Sequence, residues 1–305
     1  MFLNLFSLLY ILCHININIV YLIMEFKKGQ KYICLLAPSF VTEYEYPNIV
    51  YRLRKLGFDK VMEVTFGAKM TNITYYSLLK ESLDKGEKKT WIASPCPTIV
   101  NFIRVKYPHL VENLVPSHSP MGCMGLYVKK KYPKHKVVFI GPCMTKKLEA
   151  GETGVVDDVL TFKELEELFK KYNIEEEVKE NKYCIGFDKL YNDYTKIYPV
   201  SGGLSDTLHG GLLKDKDILI MEGLNNLMPV FDAFKDGVYK HYKFLDILNC
   251  DGGCINGPGM ISEKNIKQRR KKVFKYRDYA RRYERDLGRT GLKAHAKGIN
   301  FKREF

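Results

Sequence analysis

From residue 31 onward, short apolar runs alternate with amphipathic segments, and this alternation constrains the fold more than any other feature of the sequence. The apolar runs are predicted strands: Lys31–Ala37, Lys60–Phe66, Thr90–Ala93, Lys136–Ile140, Asp217–Met221 and Lys243–Leu248. The amphipathic segments are predicted helices: Tyr46–Leu56, Asn72–Leu83, Thr98–Tyr107 and a helix around Asn226–Phe234. A capping box, Thr161 with Glu164, precedes a further helical run. This alternation predicts an α/β fold with a largely parallel sheet.

Composition and motifs exclude several classes of protein. Apolar residues make up 46% and charged residues 28% of the 305 residues, which supplies a packed core and excludes general disorder. No GxGxxG fingerprint follows the first strand and no P-loop occurs, so dinucleotide or nucleoside-triphosphate binding has no support. No CxxC pair occurs either, which excludes zinc ribbons and ferredoxin-type cluster motifs.

Half of the eight cysteines lie just past predicted strands, in loops rich in glycine and proline. Ligands bind at the ends of strands in folds of this kind, so these loops are candidate ligand loops. Glycine and proline fix the loop backbone without covering the thiols with large side chains. The four cysteines are Cys96, Cys143, Cys250 and Cys254.

Four thiolates suit either Zn²⁺ or an iron–sulfur cluster. Structural zinc sites usually gather their ligands as two local pairs, whereas here three loops are far apart in the sequence. That spacing is more typical of a functional cofactor. The alternative is four buried free cysteines, because free cysteine is among the most buried residue types. Core packing is the preferred interpretation of Cys34, Cys123 and Cys184.

The cysteine loops resemble the catalytic domain of the [FeFe]-hydrogenases. That family has the signatures TSCCPxW, MPCxxKxxE and ExMxCxxGC in this order. Their counterparts here are ASPCPTI (Ala93–Ile99), GPCMTKKLE (Gly141–Glu149) and DILNCDGGC (Asp246–Cys254). Three further segments resemble loops of the family: Leu36-Ala37-Pro38, Ser119-Pro120-Met121 and Val200-Ser201-Gly202-Gly203. The resemblance spans roughly Lys31 to Pro258.

The resemblance implies a parallel-sheet, iron-hydrogenase-type fold of two lobes around a buried iron–sulfur cofactor. The family cofactor is the H-cluster, a [4Fe-4S] cubane joined to a diiron unit that carries CO, CN⁻ and a bridging dithiolate. By position, Cys254 would also bridge to the diiron unit and Lys146 would donate a hydrogen bond to a cyanide; these two are the implied catalytic residues. Ala37 and Pro38 would pack around the diatomic ligands. The cubane would be held by Cys96, Cys143, Cys250 and Cys254.

An alternative interpretation makes Lys146 and Glu149 an ordinary exposed i,i+3 ion pair on a helix, worth a few tenths of a kcal/mol.

The sequence departs from the family pattern where protons are delivered. Pro95 stands in place of a relay cysteine, and residues 67–75 have no carboxylate where the family places them on a helix. The ending Cys254–Gly259 is closer to the sensory members of the family. These departures predict H₂ oxidation or proton reduction at a low rate, or H₂ or redox sensing. Other family positions also differ, at Gly141, Asp246 and Leu248.

A cubane-only [4Fe-4S] protein without H₂ chemistry, as in hydrogenase-related proteins of cluster assembly, is the second hypothesis. Lys146 and the Ala37-Pro38 loop favour the first hypothesis over it. No cysteines remain to bind ferredoxin-type clusters. The resemblance therefore implies an electron-transfer partner, such as a ferredoxin or a ferredoxin-like domain on another chain, together with hydrogenase maturation proteins.

Residues 1–23 carry no formal side-chain charge and are mostly apolar. At ~1.5 Å per residue they are long enough to span a bilayer of about 30 Å, and the lysines that follow would leave the body cytoplasmic. The alternative is a protein that begins at Met24, also with a cytoplasmic body. The predicted domains are an apolar segment at 1–24, an iron-hydrogenase-like H-cluster domain at 25–262 and a basic helical tail at 263–305.

The net charge of +14 is concentrated in the tail. Residues 263–305 hold 16 Lys/Arg against 5 Asp/Glu, whereas residues 1–262 hold 33 against 30. Tyrosines among arginines, at Tyr276, Tyr279 and Tyr283, suit phosphate binding and base stacking, so nucleic-acid binding is the third hypothesis. It is disfavoured against an amphipathic helix that packs its aromatic side on the domain.

Overall fold

The computed structural model describes residues 24–175, 186–188, 190, 194–208, 211–234, 236–283 and 292–305. Within these residues, strands and helices alternate along the chain. The strands are β1 (Tyr32–Leu36), β2 (Lys60–Glu63), β3 (Trp91–Ile92), β4 (Lys136–Gly141), β5 (Asp158–Thr161), β6 (Ile218–Glu222) and β7 (Phe244–Leu248). The helices are α1 (Asn48–Leu56), α2 (Thr65–Asp84), α3 (Pro97–Lys106), α4 (Pro120–Lys131), α5 (Lys146–Thr153), α6 (Phe162–Lys171), α7 (Leu224–Asp232), α8 (Ile266–Tyr283) and α9 (Leu292–His295).

The described strands form two parallel sheets. The first sheet has the order β2-β1-β4-β5 and the second has the order β3-β7-β6. In the first, Leu36 of β1 lies beside Ile140 of β4. In the second, Ile92 of β3 lies beside Leu245 of β7. The α/β prediction with parallel strands is confirmed, and the strands divide into two lobes.

Each lobe has its own apolar core. The larger cluster surrounds the first sheet and includes Ile33, Leu35 and Phe40, all 0% exposed. Two smaller clusters surround the second sheet, one around Leu245 and Ile247 and one around residues of α2 and β3. Because apolar side chains cover both faces of the parallel strands, polar and ligand-binding groups are expected in the loops at the strand ends.

All six predicted strands are confirmed, but the second ends early. The apolar run Lys60–Phe66 forms β2 only to Glu63, and α2 begins at Thr65 instead of Asn72. A short apolar run fits a buried strand and the buried first turn of a helix equally well, so periodicity alone does not find this boundary. The capping box of α6 is present, with Thr161 and Glu164 each accepting a backbone N–H.

Helix α4 and strand β5 were not predicted, and α5 was expected only in the alternative that pairs Lys146 with Glu149 on a helix. Helix α4 contains Gly122 and Gly125, which lower its helix propensity. At Gly125 a side chain is excluded, because a Cβ there would lie 2.4 Å from the carbonyl oxygen of Val155. Glycine is therefore needed at position 125 because α4 lies close to the segment before β5. The local sequence pattern gives no information about this contact.

Helix α8 of the basic tail packs against the body. Arg269, Val273, Tyr276 and Ala280 are buried along one side, while Tyr279 and Tyr283 are exposed. The spacing is that of one face of an α-helix. A helix that packs one side on the body is therefore confirmed, but of the three tyrosines only Tyr276 lies on the packed side.

Two predictions lie outside the described residues: the membrane span at residues 1–23 and the core role of Cys184. Across the residues that are described, no helix combines the length and apolarity needed to cross a bilayer.

Candidate metal centre

The loops that follow β1, β4, β3 and β7 meet between the two sheets. Because β1 and β4 are parallel and in register at Leu36 and Ile140, their following loops leave the same edge of the first sheet. The same holds for β3 and β7 in the second sheet. All four predicted cysteine ligands lie in these loops, so the two sheets present their carboxyl ends to one shared site.

The four cysteines line one cavity of about 460 Å³. Its walls also include Thr98, Thr145 and the loop 223–226, with residues 256–258 closing one side. Among the described residues, no three His, Cys, Asp or Glu side chains converge closely enough to hold a single metal ion. The four sulfurs surround an open volume, and a donor set of four thiols around such a volume fits a multi-atom iron–sulfur cluster.

Cys96 and Cys143 are fixed by the helices that follow them. Cys96 is the N-cap of α3, whose first turn contains Pro97, a residue preorganised for that position. The sulfur of Cys143 lies 3.1 Å from the hydroxyl of Thr145, which lies 2.7 Å from the hydroxyl of Thr98. This pair of hydroxyls connects the two ligand loops across the cavity.

Cys250 and Cys254 are held by a turn that only glycine allows. Gly252 and Gly253 have φ of 79° and 90°, in the region where a Cβ is strained. A Cβ on Gly253 would also lie 2.6 Å from the carbonyl oxygen of Pro199. The two glycines therefore allow the turn that carries Cys250 and Cys254 to lie directly against the 199–201 loop.

The thiols of this cavity are electrostatically coupled. Burial raises the pKa of the Cys96 thiol, and the neighbouring Cys143 raises it further. Burial, together with the neighbouring Cys96 and Cys143, raises the pKa of Cys254 to about 12, while Lys146 opposes the shift. Burial also raises the pKa of Cys250. Thiolates in such a place need nearby positive charge, which is what a bound metal cluster provides.

A second, smaller cavity of about 90 Å³ adjoins the first. The two cavities share five wall residues, Pro95, Cys143, Lys146, Leu248 and Cys254. The smaller one is otherwise lined mainly by apolar and proline side chains. All three segments singled out by resemblance contribute to it, through Ala37, Pro38, Pro120, Met121 and Val200.

Lys146 and Glu149 are buried, which excludes the alternative interpretation of an exposed surface pair. The Lys146 ammonium lies 2.5 Å from Glu149 Oε2, and the two side chains are 11% and 1% exposed. Lys146 also donates to the carbonyl oxygen of Pro95 at 3.1 Å, and Ser119 donates to Glu149 Oε1 at 2.6 Å. The pair is buried because the Pro95 loop, the α4 N-terminus and Arg303 cover this face of α5, which the sequence pattern of one helix does not reveal.

At position 95, the wall of the smaller cavity has no side chain that can exchange protons. Pro95 offers only its carbonyl oxygen, and residues 67–75 lie on α2 without a carboxylate. Asp246 lines the cavity and accepts hydrogen bonds from the backbone and hydroxyl of Ser205. Burial raises the pKa of Asp246, with the Ser205 hydrogen bonds opposing the shift.

The sequence assigned no role to two side chains that hold Glu149, although Ser119 belongs to a segment that resembles a family loop. Ser119 is the N-cap of α4 and bonds the buried Glu149; the signal for it was a serine directly before a proline at a helix start. Arg303 lies 3.5 Å from Glu149, and no local signal marks it. Cys123 is buried and bonds the His118 carbonyl and the Thr71 hydroxyl, away from the four-cysteine cavity.

The fold and the site together define a class, the α/β proteins that carry a four-cysteine candidate metal centre between two parallel sheets. Residues 30–258 match the family model of the iron only hydrogenase large subunit, C-terminal domain, and the chain belongs to that family. The resemblance drawn from the cysteine signatures is confirmed.

Relatives include both hydrogenases and assembly factors. Iron hydrogenase 1 of Clostridium pasteurianum is 26% identical over 268 residues, which cover 72% of this chain and 47% of that protein. The cytosolic Fe-S cluster assembly factor NAR1 of Encephalitozoon cuniculi (strain GB-M1) is 27% identical over 187 residues, which cover 55% of this chain and 51% of that protein. The chain spans about half the length of these curated relatives.

Solved structures agree with the fold. A variant of the [FeFe]-hydrogenase HydA1 from Chlamydomonas reinhardtii superposes with a TM-score of 0.63 at 19% identity, covering 92% of this chain and 97% of that one. The two-lobed, parallel-sheet architecture is therefore that of the [FeFe]-hydrogenases.

Proposed function

We propose that this chain binds an H-cluster, with a [4Fe-4S] cubane on Cys96, Cys143, Cys250 and Cys254 and a diiron unit in the adjoining cavity. The observation that carries the proposal is the pair of cavities that meet at Cys254. A cysteine on the shared wall is placed to contact both parts of a two-part cofactor. When bound, such a cofactor supplies electron transfer and H₂ chemistry.

The residues around the smaller cavity suit an anionic metal unit that carries small ligands. Lys146 supplies only hydrogen-bond donors, and among the described residues its partners, Glu149 and the Pro95 carbonyl, account for two of its three N–H groups. The remaining donor is available to a buried anionic ligand, where charge-assisted bonds are strong. Ala37, Pro38 and Met121 exclude water from the rest of the wall.

We infer a low rate of turnover, or a sensing role for H₂ or redox state, from the lack of a proton-exchanging side chain at position 95 and of a carboxylate at residues 67–75. Pro95 has no titratable group, and residues 67–75 of α2 offer no carboxylate. General acid–base steps are typically worth about 10²–10⁴-fold in rate, so their loss slows H₂ chemistry without preventing cofactor binding. An electron-transfer protein on another chain and a cytoplasmic setting belong to the same proposal.

A cubane-only protein without H₂ chemistry is the second candidate function. The observation that favours it is the likeness to the assembly factor NAR1, together with Pro95 at the relay position. In this case the larger cavity would hold the cubane, and the smaller one would hold no metal.

Infrared spectroscopy of the protein matured in a host with hydrogenase maturation proteins distinguishes the two candidates. Bands of CO and CN⁻, together with more than about four irons per chain, support the H-cluster. About four irons with no such bands support the cubane-only candidate. Stoichiometric zinc without iron–sulfur absorbance would refute both.

A further inference from the structure

The segment 297–305, at the far end of the basic tail, docks beside the candidate metal centre. The backbone of His118 donates to the carbonyl of Phe301 at 2.9 Å, and that of Arg303 donates to the carbonyl of Pro116 at 3.3 Å. Lys130 donates to the carbonyls of Lys297 and Gly298. These contacts place the segment against the loop that leads into α4.

Docking brings the Arg303 guanidinium into a buried charge cluster. Its side chain is 8% exposed and lies between two carboxylates of α5, with Nη1 3.5 Å from Glu149 Oε1 and Nη2 3.0 Å from Glu152 Oε2. Glu149 is the partner of Lys146. One carboxylate therefore joins an arginine of the tail to the lysine on the wall of both cavities.

We infer that Arg303 is a positioning residue for Lys146, acting through Glu149; the part of this inference that concerns the cofactor rests on the proposed function. A buried carboxylate beside one ammonium forms a neutral pair, which attracts an anionic ligand weakly. When the same carboxylate is shared with a second cation, the buried group of three carries a net positive charge. Glu152 balances Arg303 only from the edge, because its side chain is 39% exposed and screened by water.

The contacts of Glu149 with both Lys146 and Arg303 also fix the orientation of the carboxylate. Glu149 Oε2 faces Lys146 while Oε1 accepts from Ser119 and lies beside Arg303. Both oxygens are thus held, and the lysine keeps one orientation between Glu149 and the Pro95 carbonyl. Without Arg303 the carboxylate loses one of its holds, and Lys146 becomes more mobile.

The test measures Lys146 directly in the apoprotein, by pulsed acetylation of amines and mass spectrometry, with the exposed Lys80 as internal reference. Arg303→Gln should raise the relative acetylation of Lys146 by roughly three- to tenfold, as expected for loss of a charge-assisted contact. Arg303→Lys, which keeps the charge, should restore it to within about twofold. The matched control is Arg54→Gln, because Arg54 pairs with Asp188 at 2.7 Å, outside this cluster; it should change nothing.

A second readout separates positioning from general stability. With the cubane reconstituted, Arg303→Gln should make the reduction potential of the cluster more negative, while Arg303→Lys should leave it unchanged. Unchanged Lys146 acetylation in a folded Arg303→Gln protein overturns the inference, and so does an equal effect of Arg54→Gln. Increased acetylation of Lys146 in a protein that never shows CO or CN⁻ bands would refute only the H-cluster proposal. The positioning role of Arg303 would still be supported.

Discussion

Replacing Glu149 by Gln tests the buried ion pair of the site. The carboxamide has nearly the same shape: its one oxygen can still accept from Lys146, and its NH₂ group can donate to the Ser119 hydroxyl oxygen, so the change removes mainly one charge. Lys146 and Glu149 are 11% and 1% exposed, and removing one partner of a buried pair costs about 3–5 kcal/mol. Because the hydrogen bonds survive, we expect a loss of about 3 kcal/mol in the free energy of unfolding.

A double-mutant cycle gives the interaction between the partners. Lys146→Met alone should cost about as much, and the double variant should cost about 2 kcal/mol less than the sum, because neither charge is then left buried without its partner. The assay is urea unfolding of the apoprotein, followed by circular dichroism.

The control for this cycle is a solvent-exposed ion pair with nearly the same N–O distance. Lys80 and Asp84 are 2.6 Å apart with side chains 50% and 63% exposed, and Lys80→Gln should have a far smaller effect because solvent already screens both charges. An additive cycle at Lys146 and Glu149, or an effect of Glu149→Gln no larger than that of Lys80→Gln, would refute the assignment of a buried, interacting pair.

The remaining predictions concern the metal centre and its surroundings. Cys143→Ala should remove most of the roughly four irons bound by anaerobically reconstituted protein, whereas Cys34→Ala, in the core strand β1, should retain them; equal retention in both contradicts the ligand set. Pro95→Cys should raise H₂ evolution per spectroscopically confirmed H-cluster, by part of the ~10²–10⁴-fold worth of a proton relay, and a native rate already equal to that of a fast hydrogenase would count against this. Burial raises the pKa of Asp246, so the native state binds more protons than the unfolded state above the ordinary aspartate pKa of ~3.9, and stability should fall as pH rises from there through the raised pKa. Asp246→Asn should flatten that fall in urea midpoints measured between about pH 4 and 7; an unchanged slope would show that another group causes it.

The sequence by itself determined six of the seven described strands and the four candidate cysteine ligands. Strands of a parallel sheet are continuous apolar runs, and loops that present thiols need glycine and proline, so both signals are local. Gly252 and Gly253 show this directly, because the turn that holds Cys250 and Cys254 requires positive φ values that glycine supplies.

Tertiary structure alone decided the division into two sheets, the burial of Lys146 with Glu149 and the arrival of Arg303 beside them. Spacing along one helix states which side chains share a face, but it does not state what covers that face. Helix α5 is covered by the α4 N-terminus and by the segment 297–305, which are distant in the chain. Whether an ion pair is a surface contact or a buried part of the site depends on those distant elements, because the free energy of a charge is set by how much water remains around it.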